Sequence, residues 1–416
     1  MGKILVAGGG IGGLAVALGL ARQQRKVVVL ERAPEFLEIG AGIQLGPNAF
    51  RCFDALGIGD AARALAIYVD RLRLMDAMSA DEIVSIPLDE GFRRRFGNPY
   101  AVVHRGELHA LMVRACVASP LIDLRPSAIV EEYDEIAGGV RVRIAGGGSI
   151  EGSALIGADG LWSNVRRQLV GDGSPRVSGH TTYRAVIPVE DMPLDLRWNA
   201  ATLWAGPKCH IVHYPLSGWK LFNLVVTYHN EAPRPLAGEP VTDEEVQKGF
   251  EHVHPMARSI IAHGRDWKKW VLCDRDPIEH WSSGCVTLLG DAAHPMMQYM
   301  AQGACMAMED AVVLADEIAR HAEDIPAAFL AYQDRRRLRT ARVQLLSREM
   351  GDHVYHPAGA HAMLRNAIMR EKRAQDWYDI LEWLYGANIR EMDGVEGAVS
   401  QPTSSVRRLS PTSQEA

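Results

Sequence analysis

The feature that most narrows the fold is a glycine turn near the start of the chain. Gly8-x-Gly10-x-x-Gly13 follows the apolar run Ile4–Ala7 and precedes "LAVALGLARQ", whose apolar residues recur at helical spacing. Strand, tight turn and helix in that order build the first half of a βαβ unit. Such a turn lets the backbone approach a pyrophosphate, and the helix N-terminus faces its charge. "KVVVLER" then supplies a second parallel strand ending at Glu31, with Arg32 beside it. Glu31 lies 18 residues past Gly13, where an acid binds a ribose hydroxyl. Together these point to a bound dinucleotide. The opening residues also have the lysine and apolar run of a signal peptide, but five glycines in six positions interrupt the apolar core.

Two further motifs say which dinucleotide. "ALIGADGLWSNVRRQL" holds Asp159 and Gly160 between an apolar strand and a basic helix start, and "VTLLGDAAH" places Gly290 and Asp291 at the end of another apolar strand. Either alone is an ordinary turn. In this order with the glycine turn, they resemble the three fingerprints of the single-component FAD-dependent aromatic hydroxylases, over about residues 1–390. The resemblance implies that Asp159 lies near the flavin pyrophosphate and that Asp291 holds the ribityl chain. It also implies that Arg105 in "VVHRGELHALM" reaches the FAD, and that Gln302-Gly303 form a turn approaching the flavin. A second GxGxxG and a redox cysteine pair are both missing, which argues against a flavoprotein disulfide reductase.

The expected architecture is α/β. A Rossmann-like FAD-binding domain spans 1–70, 101–179 and 276–340, and a β-sheet substrate domain spans 71–100 and 180–275. C-terminal helices follow over 341–393, with a disordered tail at 394–416. "TDEEVQKGFEHV" reads as a helix, and "DRRRLR" as a solvated helix face. Trp377 and Trp383 suggest packing between subunits, hence a homodimer. A net charge of −6 gives no basic footprint for nucleic acid, and no apolar stretch is long enough to span a membrane. Six cysteines without a CxxC pair give no metal site and suggest reduced thiols in the cytoplasm.

The resemblance also implies a chemistry. NADH reduces tightly bound FAD, O2 adds to give a flavin hydroperoxide, and one oxygen passes to an electron-rich ring. A phenolate reacts far better than a phenol of pKa near 10, so ionising it near neutrality needs about 4 kcal/mol of preferential stabilisation. A histidine hydrogen-bonded to the phenol oxygen suits this. "CHIVHYPLSGW" offers His210 and His213 on one strand, three residues apart and so on opposite faces. His210 fills the first place of an HxxxYP pattern common in the family. His213, directly before Tyr214-Pro215, is the one expected over the ring. Where much of the family carries a proline after the GD turn, this chain has Gln298, whose amide is expected to bond the substrate oxygen. That pairing resembles members that convert 3-hydroxybenzoate to 2,5-dihydroxybenzoate (gentisate), para to the phenol. Tyr214 and Tyr299 are candidate substrate contacts. His294 reads as structural, Arg184 has no assigned place, and no arginine clamp for a carboxylate is evident. A salicylate-type or heteroaromatic-acid monooxygenase, and an FAD-binding NADH oxidase or binding protein without oxygen transfer, remain as alternatives.

Overall fold

The strand Ile4–Ala7, fully buried, is flanked by Val27–Leu30 on one side and Ala154–Gly157 on the other, all parallel. Continuous apolar runs suit strands covered on both faces. The computed structural model describes residues 2–38, 41–322 and 324–391; the expected tail, 394–416, lies outside them. Ile122–Arg125 and Val286–Leu288 extend this sheet in parallel, and Ser282–Ser283 closes it as an antiparallel edge. The helices Ile11–Arg22 and Gly303–Arg320 pack together over it.

A second, eight-stranded sheet runs in the order Ala237–Pro240, Lys268–Asp274, Arg176–Pro188, Leu221–His229, Cys209–Leu216, Ala200–Gly206, Arg71–Asp76, Glu82–Pro87. One face packs on the short helices Asp243–Gln247 and Pro255–Ala262 through Val246, Phe250, Ile260 and Trp267. The other faces the glycine turn and the Asp291 loop. Gly42–Leu45, paired with Ala101–His104, joins the two halves: the Gly42 N–H donates to Asn223 Oδ1 (2.7 Å).

Three expectations change. The helix expected over "TDEEVQKGFEHV" stops at Gln247 and resumes at Pro255. Residues 71–100, read as strands, include the helix Glu90–Phe96, capped by Asp89 through the Gly91 and Phe92 N–H groups. "DRRRLR" lies in the helix Ile325–Met350 and is solvated on one face only: Asp334 and Leu338 are exposed, while Arg336 and Arg339 are each 1% exposed. Arg336 bonds Glu309 and Asp310, and Arg339 bonds Glu309, all at 2.7–2.8 Å. His294 joins this network through Nε2 to Asp310 (2.6 Å), fixing the turn that carries Asp291. All six cysteines are free thiols. Among the described residues, no helix is long and apolar enough to cross a membrane, and no cluster of His, Cys, Asp or Glu is placed to hold a metal.

Candidate active site

The glycine turn is built for close approach. Gly8 has φ +101°, and a Cβ there would lie 2.4 Å from the Ala158 carbonyl oxygen. A Cβ on Gly13 would lie 2.0 Å from the Gly8 oxygen. A Cβ on Gly10 would meet nothing within 4 Å. So two glycines are demanded by the protein's own backbone, and the third by the space in front of the helix.

That space is a cleft of two parts that share Gly10, Arg105, Ala158 and Gly160. The outer part is lined by Glu31, Arg32, His109, Asp159 and Trp162. Glu31 accepts from the Gly9 and Ala33 N–H groups (2.6 and 2.8 Å), tying the turn to the second strand. Asp159 accepts from the Ser163 hydroxyl and the Asn164 N–H (2.8 Å), holding the helix Asn164–Leu169; burial raises its pKa against these bonds. Arg105 stands between the two parts, paired with Glu38, and its Nε is buried with no partner.

The inner part, about 340 Å³, runs from Gly10 and Gly290-Asp291 past Gln302-Gly303 to the large sheet. The Asp291 side is open to the cleft although it lies deep in the protein. That depth raises its carboxyl pKa, opposed by His294 and Arg105. Gln302 caps Gly303–Arg320 and accepts from Asn48 (3.0 Å). A glycine cradle at a 12-residue helix N-terminus, an orphaned arginine nitrogen, an acid facing the cleft and a two-part cavity together fit a dinucleotide carrying a ring system at its inner end.

The sheet forms the inner wall in rows. His210, Thr227 and Thr182 are cross-strand neighbours; so are Val212, Val225 and Arg184; so are Tyr214, Asn223 and Val186. His210, Val212, Val225, Arg184 and Tyr214 line the cavity. Side chains at 211 and 213 alternate to the far face. His213 is therefore not over the ring. It is fully buried in the apolar layer behind the sheet, and its Nε2 accepts from Trp204 Nε1 (3.1 Å) beside the rings of Trp198 and Phe222. Burial and the Arg73 charge bring its pKa to about 3. The alternation read from sequence is right; the choice of face is corrected, and His210 takes the cavity position.

Gln298 does line the cavity, but its amide is engaged at both ends. Nε2 donates to the Thr182 and Thr227 hydroxyls, and Oε1 accepts from Arg184, each at 3.1 Å. Arg184 is the cavity residue that sequence reasoning failed to place. Among the described residues its partners are that amide and the Trp270 ring (5.4 Å), with no carboxylate, and its Nε is buried without a partner. Burial and the Arg105 charge lower its pKa, so an anion in the cavity would stabilise it. Tyr299 is not a cavity residue: its hydroxyl bonds His180 Nδ1, and its carbonyl accepts from Tyr355 (2.9 Å).

The family model described as "FAD binding domain" matches residues 1–346. The chain is 54% identical to 3-hydroxybenzoate 6-hydroxylase 1 of Aquipseudomonas alcaligenes over 384 residues, 92% of this chain and 97% of that protein. It is 50% identical to 3-hydroxybenzoate 6-hydroxylase of Polaromonas naphthalenivorans over 386 residues, 93% and 96% of the two chains. Among solved structures, Klebsiella pneumoniae HpxO complexed with FAD and uric acid matches with a TM-score of 0.80 at 26% identity, covering 91% of this chain and 95% of that one.

Proposed function

The chain belongs to the FAD-binding-domain family and is a flavoprotein aromatic monooxygenase; from that premise we propose that it uses NADH and O2 to hydroxylate 3-hydroxybenzoate para to its phenol oxygen, giving 2,5-dihydroxybenzoate. The relatives named above act on 3-hydroxybenzoate by name, and their identity to this chain extends over nearly its whole length. The observation that carries the reading is the cavity wall: one face of one sheet presents an imidazole and, two strands and one row away, a guanidinium with no acid partner among the described residues. A meta-hydroxybenzoate offers a phenol to the first and a carboxylate to the second.

Gly8, Gly10, Gly13, Glu31, Arg32, Arg105, Asp159, Gly290, Asp291, Gln302 and Gly303 would hold the FAD, which when bound supplies the reducing and oxygen-activating chemistry. The protein's own part is positional and electrostatic. Arg184 binds the substrate carboxylate through charge-assisted hydrogen bonds. Gln298 holds Arg184 in place and is a positioning residue; it is not the donor to the phenol. Tyr214, its hydroxyl beside Arg184, closes that end. His210, with Nδ1 already bonded to His356 (2.8 Å), turns Nε2 to the phenol and takes its proton. We place the reaction in the cytoplasm. A second copy is proposed to cover the exposed Met363, Leu364 and Ile368 of the helix Gly359–Arg370.

The test supplies 2-, 3- and 4-hydroxybenzoate with NADH and oxygen and identifies products by NMR. Stimulated NADH oxidation with 3-hydroxybenzoate alone, yielding the 2,5-diol, is expected. Carbon dioxide release from 2-hydroxybenzoate, or peroxide equal to all NADH consumed whatever the aromatic, would overturn the reading.

A further inference from the structure

A base sealed inside a cavity must also dispose of the proton it takes. His210 is 1% exposed, and it shares its wall of the cavity with Val212, Val225, Tyr214 and Arg184. The ring does not end there. Nδ1 of His210 lies 2.8 Å from Nε2 of His356, with the two rings stacked at 5.0 Å and 24°. His356 follows the last turn of the long C-terminal helix and is half-buried, so the pair leads from the buried cavity wall to a partly exposed ring. Beyond it lie His180, whose ring is 5.2 Å from that of His356, and the half-buried His229, 4.1 Å from His180.

We infer that His210 and His356 form a two-imidazole relay that carries the substrate's phenol proton out of the active site. The inference rests on the reading of His210 given above. The phenol O–H breaks as Nε2 of His210 gains its proton; the Nδ1 proton of His210 passes to Nε2 of His356; and the Nδ1 proton of His356 leaves to solvent. Each imidazole gains one proton and loses one, so no charge stays in the buried wall. Return of a proton to the phenol oxygen of the product runs the path backwards and restores both tautomers.

The surroundings favour passing a proton over keeping it. Burial, then the charges of His356 and His180, hold His210 well below the ordinary imidazole value. Burial, with His180 and His229, brings His356 to about 3. The ionisable groups around the pair are Tyr299, Tyr355, His180 and His229. Among the described residues, the ring nitrogens of His210 and His356 are paired with each other and with no carboxylate that would trap either as imidazolium. His356 is a positioning residue in this sense: it acts only through His210.

The experiment mixes FAD-loaded enzyme with 3-hydroxybenzoate, without NADH, and follows phenolate absorbance by stopped flow across pH. In H356Q, whose amide can accept from His210 but cannot pass a proton on, phenolate formation is expected to slow at least about tenfold. Substrate Kd should be unchanged, and added imidazole should restore the rate in H356A, where a ring-sized gap receives it. An unaltered rate in H356Q, a parallel loss of Kd, failure of imidazole to rescue, or loss of FAD from both variants would overturn the relay. H210N run alongside separates the two claims. If H210N abolishes phenolate formation while H356Q leaves it intact, the base stands and the relay falls. No phenolate signal in the wild type, or an undiminished one in H210N, removes the base itself.

Discussion

Replacing Arg184 by methionine keeps the volume of the side chain and removes the charge. Gln298 Oε1 then loses its donor, and the cavity loses the guanidinium we assign to the substrate carboxylate. A hydrogen bond to a charged group contributes about 1.5–3 kcal/mol, so removing it should lower kcat/KM about 10- to 150-fold. The effect should fall on KM, because the carboxylate is bound alike in the ground and transition states. In this reading Arg184 pairs with the carboxylate, whose charge does not change during oxygen transfer, so kcat should change little. The assay is steady-state NADH oxidation with 3-hydroxybenzoate and with 3-hydroxybenzyl alcohol, which keeps the phenol and lacks the anion. Wild-type enzyme should prefer the acid by roughly the same 10- to 150-fold, and R184M should lose that preference. Equal losses on acid and alcohol would refute the assignment and leave Arg184 as a structural cation.

The glycine turn separates cofactor from fold. G10A adds a Cβ into open cleft at φ −73°, so melting of the FAD-free protein should be unchanged while FAD affinity falls; G13A, aimed at the Gly8 oxygen, should lower the melting temperature itself. Removing Arg336 leaves Glu309 and Asp310 buried with less compensation, and R336M should destabilise by about 3–5 kcal/mol in urea unfolding. The same network sets an acid limit. Burial would raise both carboxyls, but Arg339 and Arg336 hold Glu309 at about 2, and His294 and Arg336 hold Asp310 at about 2. Folded pKa values below the ordinary carboxyl range mean stability present above about pH 4 and lost as pH falls from there toward 2. E309Q should flatten that part of the curve; an unchanged slope would remove Glu309 from it.

The sequence made the cofactor site legible because its demands are local. Gly8, Gly10 and Gly13 answer to one turn, and Glu31 ends the very next strand. The substrate wall is less local. Alternation correctly put His210 and His213 on opposite faces, but it carries no label for inside and outside when both faces are covered. The helices behind the sheet, with Phe250 and Trp267, claim the His213 face. The HxxxYP pattern beginning at His210 was the available signal, outweighed by adjacency to Tyr214. Arg184 and Gln298 are 114 residues apart, and nothing in either segment announces their bond. The basic run "DRRRLR" reads as surface until Glu309 and Asp310, from the preceding helix, are seen beneath it.

The central claim is that the strand Cys209–Leu216 meets the substrate through its even-numbered face. Single-turnover hydroxylation by FAD-reduced enzyme, compared between H210N and H213N, tests it most directly. H210N should retain FAD and lose about 10²- to 10⁴-fold in the rate of product formation. H213N should form product at close to the wild-type rate per folded molecule, while unfolding at lower urea because Trp204 loses its acceptor. Full activity in H210N together with a collapse of hydroxylation in a stably folded H213N would contradict the assignment.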